Sequence, residues 1–241
     1  MTAEARKTNL TVERPAPDGL FALYGHLRGP ELLRVMIDEV FPGRIAMVSS
    51  FGSESAVLLH MAAQIRPDIP VIFLNTGKLF GETVRYRRRL EAELGLTNII
   101  DVKPDEAEVE AEDKSGLLWT RDADACCALR KVRPLDRVLK DFDASITGRK
   151  RFQAETRANL KSIENTAKGV RINPLIDWSQ AELHDYIRAR GLPVHPLVED
   201  GYLSIGCMPC TRRVQDGEGY RDGRWAGRDK TECGIHIGEN I

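Results

Sequence analysis

The chain has 241 residues, of which 42% are hydrophobic, and it carries 35 basic against 36 acidic side chains for a formal net charge of −1. Such a chain is long and apolar enough for one globular domain with a substantial core. The balanced charge excludes proteins that hold duplex nucleic acid or an anionic membrane through global positive charge, so any anion recognition is local. No apolar run reaches the roughly 18 to 20 residues of a membrane span and residues 1–17 lack a signal-peptide core, which predicts a cytoplasmic protein.

The first part of the chain predicts an arm, a helix and a strand. Residues 1–18 are polar and predict a loosely held arm. After Pro30, apolar residues at helical spacing predict an amphipathic helix that ends near Pro42. Residues 45–48 form a short apolar run typical of a buried parallel strand, and a loop of small residues and a helix over residues 56–65 follow it.

The same unit of strand, loop and helix recurs along the chain. Residues 71–74 predict a second strand, and Val84, Leu90 and Leu94 share one face of the helix that follows. Further predicted strands cover residues 99–102, 144–147 and 170–172, and a helix covers residues 181–190. Strands separated by helices predict an α/β fold with a doubly wound, mostly parallel sheet flanked by helices, and ligands are expected beyond the carboxyl ends of the strands.

Regular patterning fades after Gly191, so the sequence predicts three parts. These are the arm (residues 1–18), an α/β domain (residues 19–210) and a C-terminal tail (residues 211–241) that is glycine-rich, irregular and partly mobile.

Four of the five cysteines come as two tight pairs, Cys126 with Cys127 and Cys207 with Cys210. In a reducing cytoplasm such pairs more often hold metal or do redox chemistry than form permanent disulfides. The spacing favours a thiolate-bound metal centre that joins two distant segments, and by itself it leaves an iron–sulfur cluster and a structural zinc ion equally open. The fifth cysteine, Cys233, stands alone in the polar tail, where reactivity is the simplest explanation.

Two loops and several basic runs predict recognition of a small polyanion. The loop 49–55 offers small side chains, hydroxyls and the free amides of a helix N-terminus, which suit phosphate or sulfate, although serine-rich helix caps are common. Thr76, Gly77 and Lys78 follow the next strand at the same sheet edge. The basic side chains that cluster at loops include Lys131, near the first cysteine pair, and arginines that bind anions through charge-assisted hydrogen bonds. A solvated charged face is the alternative for any one of these runs.

Taken in order, several motifs resemble those of the assimilatory sulfonucleotide reductases, specifically the iron–sulfur type that acts on adenosine 5′-phosphosulfate (APS). The resemblance extends from about residue 45 to residue 236. The matching segments are residues 50–55, 76–80, 126–135, 146–149, 173–175, 204–211, 223–225 and 232–236. Each segment alone is a weak signal, whereas the ordered set is highly specific.

The resemblance implies a pyrophosphatase-loop (PP-loop) fold of the adenine nucleotide alpha hydrolase type, related to ATP-binding adenylating enzymes. It also implies a [4Fe–4S] cluster on the four paired cysteines, thioredoxin as the reductant and Cys233 as the catalytic residue. The substrate-binding residues that it implies are Ser49, Ser50, Phe51, Gly52, Ser53, Glu54, Ser55, Thr76, Gly77, Lys78, Lys131, Gly148, Arg149, Arg157, Arg221 and Arg224. One departure is Asn75, where the family usually has an aspartate; an amide oxygen can still accept a hydrogen bond.

The chemistry that the resemblance implies is a pair of substitutions at sulfur. A Cys233 thiolate attacks the sulfate sulfur, AMP leaves, and thioredoxin then releases sulfite from the S-sulfocysteine. A reductase for the 3′-phosphorylated nucleotide (PAPS) is the main alternative, but relatives restricted to PAPS generally lack the four paired cysteines. The more distant alternatives are an ATP-dependent adenylating or sulfur-transfer enzyme of the same fold and a zinc-stapled nucleotide-binding module. The sequence allows a homo-oligomer without indicating one.

Overall fold

The structure is a computed structural model that describes residues 17–228 and 230–236. Its six strands form one sheet in the order β3-β2-β1-β4-β6-β5. The strands are β1 (Ile45–Ser49), β2 (Val71–Leu74), β3 (Ile99–Val102), β4 (Ala144–Thr147), β5 (Ile163–Thr166) and β6 (Gly169–Ile172). All neighbouring strands are parallel except β5 and β6, so the predicted doubly wound, mostly parallel sheet is confirmed.

Nine α-helices connect or flank these strands in the described residues. They are α1 (Pro17–Tyr24), α2 (Gly29–Arg34), α3 (Ser55–Ile65), α4 (Gly81–Leu94), α5 (Glu106–Glu112), α6 (Leu118–Arg121), α7 (Ala123–Cys127), α8 (Arg133–Leu139) and α9 (Gln180–Ala189). π-Helical segments extend α2 over Val35–Val40 and join α7 to α8 over Ala128–Val132. No helix in the described ranges is both long and apolar enough to cross a bilayer.

The apolar runs of β1 and β2 were predicted correctly because these two strands are buried on both faces. The helix predicted after Pro30 is α2 with its π-helical extension, and the helix predicted over residues 181–190 is α9. Strand β5 was missed because Ile163 is its one apolar residue, and it pairs only with β6 in an edge hairpin. The predicted arm falls almost wholly on residues 1–16, which lie outside the described residues.

The sheet separates two apolar layers, which alternate along each strand. Met47 and Phe73 belong to the larger layer, under α2, α3 and α9. Ala46 and Ile72, their neighbours in sequence, belong to a smaller layer with Leu135 of α8. The order of the strands places the point where the winding direction reverses between β1 and β4, and the carboxyl ends of these two strands are where such folds bind ligands.

His195 is a fully buried histidine that the fold keeps neutral. Its Nδ1 accepts a hydrogen bond from the Leu197 amide at 3.2 Å, and its Nε2 lies 3.0 Å from the Thr83 hydroxyl. Burial lowers the pKa of His195 to about 4. A depressed histidine pKa means that its contribution to stability is present above the unfolded-state pKa and is lost as the pH falls toward the folded-state value.

We expect acidification to about pH 5.5 to remove about 1.4 kcal/mol of stability from the wild-type protein through His195, because the unfolded imidazole, with a pKa near 6.5, binds a proton that the folded one does not. His195→Gln keeps polar atoms at this position and does not titrate. Urea denaturation of both proteins at about pH 7.5 and about pH 5.5 measures the difference. An identical pH dependence in the two proteins would contradict this assignment.

Candidate active site

A cavity of about 210 Å³ lies where β1 and β4 end. Its lining includes the loop after β1, the loop after β4 and several residues of the C-terminal tail. The predicted site residues among them are Ser49, Ser50, Gly52, Ser53, Glu54, Ser55, Lys131, Gly148, Arg149, Arg157, Arg221, Arg224 and Cys233. The fold therefore gathers residues that are up to 184 positions apart in the sequence, from Ser49 to Cys233, around one space.

Phe51 fixes the loop after β1 through its backbone conformation and its buried ring. It has a positive φ of 49°, which is strained for a residue with a side chain, and its amide donates to the Ser49 hydroxyl at 3.2 Å. Its ring is fully buried and meets the Phe73 ring edge-on at 5.3 Å. Phe51 was expected to face the substrate, and instead its side chain anchors the loop in the core.

Thr76, Gly77 and Lys78 were expected beside that loop, but they lie outside the cavity lining. Thr76 Oγ1 is 3.3 Å from Cys207 Sγ, and Lys78 Nζ donates to the Gly116 carbonyl at 2.6 Å. The segment that carries Cys207 pairs with Leu79 and thereby covers this strand end. Asn75 Oδ1 accepts from the Gly77 amide at 3.3 Å, so an amide at this position still supports the turn.

Four of the six cations that line the cavity are paired with buried carboxylates. Arg149 pairs with Glu164, and Lys150 Nζ lies 2.5 Å from Glu54 Oε2. Arg157 binds Glu232 through two hydrogen bonds of 2.5 and 2.8 Å, and Arg221 reaches the same carboxylate at 3.3 Å. These pairs offset the cost of burying charge, and they reduce the net positive charge that a ligand meets.

Lys131 and Arg224 have no carboxylate partner among the described residues. Arg224 stacks on the Trp225 ring at 4.4 Å, and its buried Nε has no hydrogen-bond partner in the described part of the chain. Gly206 leaves room for this guanidinium, because a Cβ there would lie 2.3 Å from Arg224 Nη2. Two cations without carboxylate partners in one cavity suit an anionic group of a ligand.

Cys233 is buried and lines the cavity together with these two cations. A hydrogen bond from the Cys127 thiol is the largest influence holding the pKa of Cys233 well below its usual range, and burial opposes it. Lys131, the Ile235 amide and Arg224 lower that pKa further. Such surroundings favour the thiolate, which is the nucleophilic form of cysteine.

The four paired cysteines line one small void next to the cavity. Cys126 and Cys127 end α7, whose first turn is capped by the Asp122 carboxylate. Cys207 precedes a single 3₁₀ turn, and Cys210 is the last residue of that turn. Burial raises the pKa of the Cys126 and Cys210 thiols. In the described residues no three histidine, cysteine or acidic side chains converge as they would around a single ion. Four sulfur donors around one void, with Lys131 beside them, are chemically suited to an iron–sulfur centre.

Sequence reasoning did not assign Lys150, Gln153, Tyr220 or Glu232 to the site. Gln153 donates to Glu54 at 2.8 Å, and the Tyr220 hydroxyl lies 3.1 Å from Ser53 Oγ. Only Glu232 carried a usable signal, because it precedes Cys233 in a matched motif. The tail itself is irregular as expected, with neither α-helix nor strand in residues 211–228 and 230–236.

Comparison with known proteins gives a consistent picture. The family model described as "Phosphoadenosine phosphosulfate reductase domain" matches residues 44–213. A protein of Mesorhizobium japonicum named adenosine 5′-phosphosulfate reductase is 55% identical over 91% of this chain and 86% of its own length. A PAPS reductase crystal structure from Candida auris, a phosphate complex, aligns with a TM-score of 0.67 at 30% identity, over 81% of this chain and 96% of that one.

A more distant structure shares the fold alone. The FMN adenylyltransferase of Candida glabrata, in complex with FMN and an ATP analogue, aligns with a TM-score of 0.53 at 17% identity. The alignment covers 90% of this chain and 82% of that one. The predicted PP-loop type of nucleotide-binding fold is confirmed by these two structural neighbours.

We expect Lys150→Met to destabilise the protein by about 3–5 kcal/mol, because it leaves the buried Glu54 carboxylate without its cation. Both side chains of this pair are less than a tenth exposed. Arg188→Met breaks an exposed pair with Asp185 on α9, and its expected cost is at most about 1 kcal/mol. Chemical denaturation measures both variants, and equal losses would contradict the role given to the buried pair.

Proposed function

The chain belongs to the phosphoadenosine phosphosulfate reductase family, and on that premise we propose that it reduces APS to sulfite and AMP with thioredoxin as the reductant. The observation that carries the proposal is the position of Cys233. This thiol lines the same cavity as the loop after β1 and two cations that have no carboxylate partner in the described residues. A nucleophile, an anion-binding loop and unneutralised cations in one cavity suit attack on a nucleotide's sulfate group.

In the first step the Cys233 thiolate attacks the sulfate sulfur, and the bond from that sulfur to the bridging oxygen breaks. AMP leaves with the electron pair of that bond, and the enzyme holds an S-sulfocysteine. Lys131 and Arg224 bind the sulfonate oxygens, whose charge would otherwise repel the thiolate. The amides and hydroxyls of the loop 49–55 bind the phosphate of the nucleotide.

In the second step a thioredoxin thiolate attacks Cys233 Sγ and releases sulfite. Its second thiol then resolves the mixed disulfide and regenerates the Cys233 thiol. The dithiol thereby supplies both electrons and becomes a disulfide, so the proposal requires no flavin. A reactive thiol and a thiolate-bound metal centre both suit a reducing compartment such as the cytoplasm.

Cys126, Cys127, Cys207 and Cys210 would hold a [4Fe–4S] cluster. When bound, the cluster would join α7 to the segment around Cys207 and place its charge beside Lys131. A Cys127 sulfur engaged in ligation carries no proton to donate, so Lys131, the Ile235 amide and Arg224 then stabilise the Cys233 thiolate. We also infer that the tail (residues 211–241) opens between the two steps, because one sulfur meets first the nucleotide and then thioredoxin.

Sulfite release with thioredoxin tests the reaction and the choice of nucleotide. We expect the protein to turn over APS efficiently and PAPS poorly. The reverse preference would identify a PAPS reductase, like the structural neighbour from Candida auris. Zinc-bound protein that releases no sulfite from either nucleotide would identify the binding-module alternative.

We expect Cys233→Ser to abolish sulfite release while the protein still binds the nucleotide, because a serine hydroxyl is far too weakly ionised to replace the thiolate. Wild-type protein given APS without thioredoxin should gain one SO₃ group, about 80 Da, on the peptide that contains Cys233. Mass spectrometry of the intact chain and its peptides measures this gain. An adduct on another cysteine, or turnover by the serine variant, would refute the assignment.

We expect anaerobically purified protein to contain about four iron and about four sulfide per chain. Cys207→Ser should lose the cluster and also unfold at a lower temperature, because each ligand ties two remote segments together. Metal analysis, absorbance and thermal melting check these expectations. Stoichiometric zinc in protein from iron-replete cells would show that the centre is a zinc site.

A further inference from the structure

Glu232, the residue before Cys233, is held by two arginines. Arg157 Nε and Nη2 donate to its two carboxylate oxygens at 2.5 and 2.8 Å, and Arg221 Nη2 donates to one of them at 3.3 Å. Arg221 Nη2 also donates to the carbonyl of Thr231 at 3.0 Å. Arg157 belongs to the α/β domain, whereas Glu232 and Arg221 belong to the tail, so the contact joins the two parts of the chain.

We propose that Glu232 is a positioning residue whose ion pair with Arg157 holds the tail closed and keeps Cys233 in the cavity. We call the three residues Glu232, Arg157 and Arg221 the Glu232 clasp. Consecutive Cα atoms are about 3.8 Å apart across a trans peptide bond, so fixing the Cα atom of Glu232 keeps the Cα atom of Cys233 within that distance of it. The proposal rests on the nucleophilic role of Cys233, and it adds the contact that holds this nucleophile in the cavity.

The clasp differs in burial from the other ion pairs that join the tail to the domain. The Lys230–Asp124 pair also joins the tail to the domain, but the Asp124 side chain is 76% exposed. In the Arg157–Glu232 pair the side chains are only 7% and 10% exposed. Exposed ion pairs contribute little, whereas removing one partner of a buried, doubly hydrogen-bonded pair leaves an uncompensated charge and costs far more. Among these ion pairs the clasp therefore contributes most to holding the tail closed.

The clasp also determines which cations remain for a ligand. Glu232 engages both Arg157 and Arg221, which the sequence had marked as anion contacts. Because one carboxylate engages both arginines, Lys131 and Arg224 are the cavity cations beside Cys233 that have no carboxylate partner in the described residues. The clasp thus positions the thiol and confines the free positive charge to its vicinity.

The test is the reactivity of Cys233 toward iodoacetamide in the cluster-loaded protein, without nucleotide or thioredoxin. Glu232→Gln removes the charge but keeps the size of the side chain, and it should speed alkylation of Cys233 by about tenfold or more, since hydrogen bonds to charged groups contribute about 1.5–3 kcal/mol and each 1.4 kcal/mol is a factor of ten. Rates are compared on the high-pH plateau, where the thiol is ionised in every variant. Peptide mass spectrometry assigns the modification to Cys233.

Glu218→Gln is the matched control. Glu218 also lies in the tail and forms two hydrogen bonds of 2.7 Å with an arginine, but that arginine is Arg212 of the tail itself. Breaking this pair should leave the alkylation of Cys233 at the wild-type rate. Equal rates in wild type and Glu232→Gln, or the same acceleration in both variants, would overturn the proposal.

Arg157→Lys is a milder variant that covers the case in which Glu232→Gln fails to fold. It keeps the charge but loses the bidentate geometry, so it should accelerate alkylation by a smaller factor than Glu232→Gln. Combining it with Glu232→Gln should add little further acceleration, because both changes open the same contact. A wild-type rate in Arg157→Lys, or full additivity in the double variant, would likewise contradict the clasp.

Kinetics separate this inference from the proposed function. If Cys233 is the nucleophile and the clasp positions it, Glu232→Gln should lower kcat about tenfold or more because an open tail presents the thiol less often. KM for APS should not rise, because Arg157 and Arg221 are then free to attract the anionic substrate. Glu232→Asp should recover part of this loss. If Cys233→Ser still releases sulfite, the proposed function fails, but the alkylation result still decides whether the clasp exists.

Discussion

The high cost of burying charge without a counter-charge governs the organisation of this site. A buried guanidinium or ammonium group is tolerated only when a carboxylate, a ring face or a bound anion compensates it. Three carboxylates, Glu54, Glu164 and Glu232, compensate four of the cavity's cations, and each comes from a different part of the chain. The loop after β1, the edge hairpin and the tail are thus drawn to one place by electrostatic complementarity as much as by apolar packing.

This arrangement explains why sequence reasoning identified Arg149 and Arg157 but missed their carboxylate partners, Glu164 and Glu232. Arg149 stands in a matched motif directly after β4, so its position at the sheet edge follows from the parallel architecture. The position of Glu164 depends on β5, an edge strand that was not predicted because most of its residues are polar. Glu232 reaches Arg157 across 75 residues, and no periodicity in the sequence encodes such a contact.

Strands β1 and β2 were predictable because both of their faces are buried, which leaves a continuous apolar run in the sequence. The loop at residues 76–78 shows the limit of the same logic. It does follow a strand at the expected edge, but the segment around Cys207 lies over it and diverts its groups toward the cysteine void. Topology predicts which loops share an edge, whereas the packing of irregular segments over that edge decides which of them reach a ligand.

One continuous helical segment, from Ala123 to Leu139, carries the first cysteine pair in α7 and contains a π-helical turn, which includes Lys131, between α7 and α8. A π-turn accommodates an extra residue within a helix, so it sets the angular phase between the residues on either side. Each residue of an α-helix turns the chain by about 100°, so a one-residue deletion in this turn would rotate Cys126 and Cys127 away from their present orientation relative to α8. The number of residues between the cysteine pair and α8 thus fixes the direction in which the two cysteines point. Substitutions in this turn should therefore disturb the cysteines less than insertions or deletions.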